Sequence, residues 1–308
     1  MRLIYNILTI VFLIFGPFSK SIGQSNTLDF ERFSSDDGLS ADFINCIEQD
    51  SLGFLWIGTN DGLNRFDGYS FNTITSIGQK GKALSGNQIN SLVNSYRNKL
   101  WIATNNGLNC LFLETGSIKH FSFKSPSNSN NSINKVVADD EGNIWFSFSY
   151  DSYINCYNPQ TNRLVNIKLT TPDGEIPTVP KDFLFSKTGR IIVGGSTGNI
   201  IQIDAAKQLI IKNTTIDSHF EISQLYEDSK SGLWASSNAW GFYHIPALFD
   251  NTNATVLHNY FPSRSFMQVD DTTMLVGSIR HGIFEFKTTQ KTYTQHYIEK
   301  AGSNTVNK

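Results

Sequence analysis

Gly53-Phe54-Leu55-Trp56-Ile57-Gly58-Thr59-Asn60-Asp61-Gly62-Leu63-Asn64 returns as Leu100-Trp101-Ile102-Ala103-Thr104-Asn105-Asn106-Gly107-Leu108-Asn109. Weaker copies follow at Gly142-Asn143-Ile144-Trp145-Phe146-Ser147, Gly189-Arg190-Ile191-Ile192-Val193-Gly194, Gly232-Leu233-Trp234-Ala235-Ser236 and Met274-Leu275-Val276-Gly277-Ser278. With the Trp position as marker, the copies fall at 56, 101, 145, 192, 234 and 275, in steps of 45, 44, 47, 42 and 41 residues. A period in this range means a stack or ring of like units.

Each unit reads as four short strands. The first strands begin near Ile44, Ile89, Ile133, Val179, Ile222 and Phe266, and the Gly-x-Leu-Trp-Ile-Gly run is the second. A tight turn carrying Asn-Asp-Gly or Asn-Asn-Gly leads into the third, because Asn-Gly and Asp-Gly between apolar runs favour a hairpin with positive φ at its centre. A looser fourth strand closes the unit, as at Phe71–Thr75. Second strands that are apolar on successive residues belong to sheets covered on both faces. A four-stranded unit of forty-odd residues, flanked by its neighbours, is a propeller blade. The expected fold is all-β: a β-propeller of four-stranded antiparallel blades over residues 24–308, with six blades visible. The residues at 28–33 read as a lone closing strand. Ser303-Asn304-Thr305-Val306 resembles the lead-in to another blade, so a seventh reads as begun and truncated.

Residues 1–23 stand apart. Arg2, the apolar stretch Ile7–Phe15 and the small residues Ser21-Ile22-Gly23 make a secretory signal peptide, with an uncleaved anchor as the alternative. The apolar run is short for a membrane span. The expected location is therefore exported and periplasmic. Without Arg2 and Lys20 the chain has 23 basic against 27 acidic residues, a balance that offers no footing for nucleic acid or an anionic membrane surface. Cys46, Cys110 and Cys156 lack a zinc or redox spacing. Equivalent points on neighbouring blades should exceed the ~7 Å Cα limit for a disulfide, so all three are expected as packed thiols.

The run Ile44-Asn45-x-Ile47-x-Gln49-Asp50-x-x-Gly53-Phe54-Leu55-Trp56-Ile57-Gly58-Thr59-x-x-Gly62-Leu63-Asn64-Arg65-Phe66-Asp67-Gly68, preceded by Asp37-Gly38-Leu39-Ser40, closely resembles the two-component regulator propeller repeat. That family builds the periplasmic sensor region of hybrid two-component systems in glycan-degrading bacteria. The resemblance covers roughly residues 28–308 and weakens after the second unit, where Asp151 replaces the turn Gly and Ile192 and Leu275 replace the Trp. It implies an N-terminal sensor fragment of a histidine kinase that detects an oligosaccharide and controls glycan-utilisation genes. Its expected partners are that oligosaccharide, the rest of a membrane-anchored kinase and, as an open alternative, a second copy of the chain. The fragment itself would hold no kinase activity, no catalytic residue, no metal and no cofactor.

Among individual residues, Trp56, Trp101, Trp145 and Trp234 are read as inter-blade packing, and Gly62 and Gly107 as turn formers. Arg65 is read as a strand residue with its head in solvent. The turns between second and third strands share a face with the loops leading into each blade. In units five and six these turns are one residue longer than in unit one, and they carry Trp240, the one Trp outside the repeat register, and Arg280-His281. An exposed aromatic beside such groups suits sugar stacking, so Trp240, Arg280 and His281, with Tyr150 next, are the candidate ligand residues. Two other classes stay open. A secreted propeller lyase or glycosidase would bring carboxylates together in the channel, and an interaction scaffold would bind protein instead of sugar.

Overall fold

A computed structural model of the chain describes residues 32–95, 97–127, 131–216, 220–237, 241–245, 255–258, 263–278 and 282–295. Among them are 24 strands and one three-residue 3-10 helix, Ser35–Asp37. No helix among the described residues is long and apolar enough to cross a membrane.

The strands form six four-stranded sheets, each built from four consecutive strands paired antiparallel in sequence order. Blade 1 consists of Ile44–Gln49, Leu55–Thr59, Gly62–Phe66 and Phe71–Ile74. Blades 2 to 6 span 89–121, 133–168, 180–215, 224–258 and 263–295. The first strand of each blade lies beside the first strand of the next, from blade 1 to blade 6. This is the β-propeller expected from the repeat.

Five apolar clusters join the six blades, one at each consecutive interface. Each repeat Trp is buried in a cluster with residues of the following blade: Trp56 with Leu92 and Ile102, Trp101 with Val136 and Phe146, Trp145 with Phe183 and Val193, Trp234 with Phe266 and Val276. Ile192 takes that place in blade 4. All four Trp are buried at an interface between blades.

The polar residues of the repeat fasten each blade internally. Trp56 Nε1 donates to Asp50 Oδ2 at 2.8 Å, and Asp50 Oδ1 accepts the N–H groups of Leu52 and Phe54. The same lock recurs at Asp139 with Trp145 and at Asp228 with Trp234, while Ser95 serves Trp101 in blade 2. Asn64 accepts from the Ser40 N–H and donates to the Ser40 hydroxyl, as Asn109 does with Ser85. Leu39-Ser40 is therefore the lead-in of blade 1, equivalent to Leu84-Ser85 of blade 2.

Gly58 is fixed by packing between blades. A Cβ there would stand 2.5 Å from Cys46 Sγ and 2.6 Å from Ile89 Cγ2 of the next blade. At the turn, only Gly62 is left-handed (φ 119°); Asn60 and Asp61 are not. The turn is held by Thr59, whose Oγ1 accepts the Asp61 N–H and donates to Gly62 O. This corrects the expectation of positive φ at its centre.

Among the described residues, each end blade packs against one neighbouring blade. Ile44 and Ile47 are 42% and 57% exposed, whereas their equivalents Ile89, Leu92, Ile133 and Val136 are buried against the preceding blade. On the far side of blade 6, Met267 and Val269 are likewise exposed.

The lone closing strand is not formed by Arg32 and Phe33, which lie outside any strand. The Phe33 ring meets Phe66 and Phe71 of blade 1, at centroid distances of 5.1 and 5.8 Å. Residues 1–31 and 303–306, with the leader and the seventh-blade lead-in read there, lie outside the described residues. The three thiols are free, two of them buried, and burial pushes the Cys46 thiol up to about 12. Arg65 departs from its expectation: its guanidinium lies over the Phe54 ring, 4.7 Å from the centroid, with Nε buried.

Candidate functional site

The loops leading into the blades and the turns between second and third strands occupy one face, as expected. Gly62 N–H donates to Asn87 O, Asn105 N–H to Gln88 O, Ser149 N–H to Ser132 O and Ser196 N–H to Val179 O. At the centre of this face the first strands share a device. In five blades their pairing with the second strand skips one residue: Asn45, Asn90, Asn134, Lys181 and Arg264. A bulge of this kind turns one side chain out of the ladder. Four of these five residues, with Ser223 of blade 5, line a polar recess of about 320 Å³ on the channel axis.

The amides in this ring point sideways. Asn45 Nδ2 donates to Ile89 O at 2.8 Å and Asn90 Nδ2 to Ile133 O at 2.7 Å, each reaching the next blade. Asn134 Nδ2 reaches Lys181 O at 3.4 Å. Asn45 Nδ2 also donates to Asn60 Oδ1, so both its hydrogens are used and it offers a ligand only its carbonyl oxygen. Lys181 pairs with Glu221 at 2.9 Å.

Below the mouth, the charged groups of the first strands hold one another. Lys135 Nζ stands 2.8 Å from Asp182 Oδ1, and Asp182 Oδ2 accepts the Leu225 N–H. Burial alone would lower the Lys135 pKa, but Asp182, Cys46 and Glu48 outweigh it and hold it above the usual value. Glu48 is raised by burial and accepts the Asn94 N–H.

A second pocket, of about 220 Å³, lies between blades 5 and 6. There His244 Nε2 sits 3.2 Å from Asp228 Oδ2, with its ring 4.4 Å from that of Trp234. Asp228 is the repeat's own Trp lock, so this pair grows from a structural carboxylate. Among the described residues, no group of three or more His, Cys, Asp or Glu could hold a metal ion.

Of the four candidate ligand residues, Tyr150 is described and Trp240, Arg280 and His281 lie outside the described residues. Tyr150 is 84% exposed with φ 63°. Its turn differs from that of blade 1 because Asp151, in place of the Gly, is buried and accepts from the hydroxyls of Ser125 and Ser127. The left-handed residue thus falls one position earlier. The amide ring was missed by sequence reasoning, although its signal was present: Ile-Asn opens the first strand of blades 1, 2 and 3.

Residues 38–61 match the family model described as "two component regulator propeller". The chain carries a two-component regulator propeller repeat. A 48-residue stretch is 50% identical to histidine kinase P4 of Formosa agariphila, covering 16% of this chain and 4% of that kinase. The fold superposes, with a TM-score of 0.73 and 21% identity, on an extracellular domain attributed to the hybrid two-component system BT3049 of B. thetaiotaomicron. That match covers 90% of this chain and 37% of the other, so the propeller spans little more than a third of that solved domain. Virginiamycin B lyase from Staphylococcus aureus, in a catalytically inactive form, shares the fold at TM-score 0.63 and 12% identity, over 79% of each chain.

Proposed function

We propose that this propeller is the ligand-sensing part of an exported hybrid two-component histidine kinase. It detects a glycan-derived oligosaccharide outside the cytoplasm and signals to control gene expression. The observation that carries this reading is the repeat at residues 38–61, together with the 48-residue identity to a histidine kinase. In this reading residues 1–23 direct export to the periplasm, 24–308 form the sensor propeller, and the partner is a membrane-anchored kinase. No catalysis is assigned to the propeller itself. Ligand recognition belongs to the face that carries the channel mouth and Tyr150, with Trp240, Arg280 and His281 proposed on its turns.

The test is calorimetry of the purified domain against a panel of plant and algal oligosaccharides, with product analysis of the same mixtures. Binding without turnover supports the sensor reading. New reducing ends or unsaturated products would move the protein to the secreted-enzyme class. Replacing Trp240 by Ala should weaken binding by about 1–3 kcal/mol, the scale of one buried aromatic contact, and leave the thermal midpoint in place. Unfolding by Trp240→Ala would make that residue core and remove it from the site.

A further inference from the structure

We propose that the pocket between blades 5 and 6 is a binding site for a neutral monosaccharide, a single hydroxylated ring. The site lies apart from the face proposed above for the sensor's ligand. Its walls include the turn between the first two strands of blade 5 and the turn between the last two strands of blade 6, at the opposite end of the blades.

Two departures from the repeat open this pocket, both in blade 5. Gly232 stands where blades 1 and 3 carry Phe54 and Asn143. In all three blades the N–H at this place donates to the carboxylate that locks the Trp. The Asn143 amide donates to that carboxylate, and the Phe54 ring lies beneath the Arg65 guanidinium. Blade 5 has no side chain there, and a Cβ would stand 2.6 Å from both Asp228 Oδ2 and His244 Nε2. The second departure is His244 itself. It pairs across from Trp234 at the place that Cys110 and Cys156 hold across from Trp101 and Trp145. A polar ring thus replaces a packed thiol, and a cavity of about 220 Å³ is left beside it.

The chemistry of the lining selects the ligand class. The Asp228 carboxylate can only accept, so its bond to His244 places the imidazole hydrogen on Nε2 and leaves a lone pair on Nδ1. Burial keeps this imidazole neutral at pH 7, and Nδ1 has no partner among the described residues. Asp271 accepts the Ser229 hydroxyl on Oδ1, and its other oxygen is open. Lys230 Nζ donates to Asp271 O, whereas Lys291 has no ion pair among the described residues. Two cations, Lys230 and Lys291, thus face two carboxylates, Asp228 and Asp271, and the lining favours no ion of either sign. It offers acceptors on His244 and Asp271, a donor on Lys291 and apolar surface on Met274. Sugar hydroxyls donate and accept alike, and the C–H face of the ring suits the thioether. The volume falls below the ~300–1,000 Å³ of sites for drug-sized ligands, which limits the occupant to about one ring.

The test follows the Trp234 indole N–H by NMR in the full chain. The probes are glucose, galactose, mannose and xylose, with benzoate and cyclohexylamine as an anion and a cation of similar ring size. At least one sugar should shift the Trp234 signal saturably. In His244→Cys, which restores the residue of blades 2 and 3, its affinity should fall at least tenfold. In Lys291→Asn, which tolerates the left-handed backbone at that turn (φ 55°), a smaller loss is expected, and thermal midpoints check both folds. A response to benzoate or cyclohexylamine alone, a sugar response of equal strength in wild type and both variants, or no response at all overturns the inference. Each of these outcomes leaves the sensor reading standing, because that reading places its ligand on the other face.

Discussion

The indole Nε1 of Trp145 donates to Asp139 Oδ2 at 2.8 Å, while the other oxygen of that carboxylate accepts the N–H groups of Glu141 and Asn143. One buried carboxylate thus shapes the turn between the first two strands and anchors the Trp that packs on the next blade. Asp139→Ala leaves four donors without their partner, because the Asn143 side-chain amide also donates to Oδ2. Buried donors left unpaired cost about 1–3 kcal/mol each, and some regain water at the turn, so a net loss of about 3 kcal/mol is expected in urea unfolding. Asp139→Asn, which keeps an acceptor oxygen, should cost clearly less. Equal losses for the two variants would show that the turn, not the Trp bond, needs a charge.

Gly58→Ala should destabilise by about 1–3 kcal/mol, the usual scale of overpacking, because its new methyl meets Cys46 Sγ and Ile89 Cγ2. Combining it with Ile89→Ala should cost less than the sum of the two single changes, since the second makes room for the first. Additive losses would place the strain somewhere other than this inter-blade contact.

Ile47 and Met267 are exposed on the outward faces of the end blades. Changing either to Lys should alter stability by less than about 0.5 kcal/mol and should reduce self-association at high concentration, because uncovered apolar sheet faces promote it. A longer chain carrying one more blade should melt at a higher temperature than residues 24–308. Identical midpoints would mean that six blades are already complete.

Burial holds the His244 imidazole below its ordinary pKa of 6.5, although Asp228 pulls the other way. The unfolded chain therefore takes up this proton more readily than the folded one. The contribution to stability is full above about pH 6.5 and declines as pH falls below it, until the folded-state value is passed. Asp228 behaves separately: burial raises its pKa, but hydrogen bonds from Trp234, Gly232, His244 and Lys230 bring it below 3.8. Its contribution persists above that pH and is lost as pH falls through the folded-state value. Lys230, Asp271 and Lys291 also face the pocket. His244→Gln should flatten the melting temperature just below about pH 6.5 while keeping the loss at lower pH. An unchanged slope in the upper range would assign it to another group.

The period of 41 to 47 residues, the apolar second strands and the turn glycines determined the architecture from sequence alone. They do so because each blade must bury both faces against copies of itself, which stamps the same pattern on every unit. Inter-blade packing of Trp56, Trp101, Trp145 and Trp234 and the unpaired thiols were legible for the same reason. The roles of the repeat's polar residues were not. Asp50, Asn64 and Gly58 look alike as conserved-looking punctuation within one chain, but only the folded ring shows that one locks a Trp, one holds a lead-in Ser and one yields to the next blade's Ile. The channel mouth lay furthest from the sequence. Asn45, Asn90, Asn134 and Arg264 are separated by 44 to 130 residues, and no local pattern tells that a skipped pairing aims each of them at a common axis. Local propensity can specify a strand, but only closure of the blades around that axis brings four distant side chains to one recess.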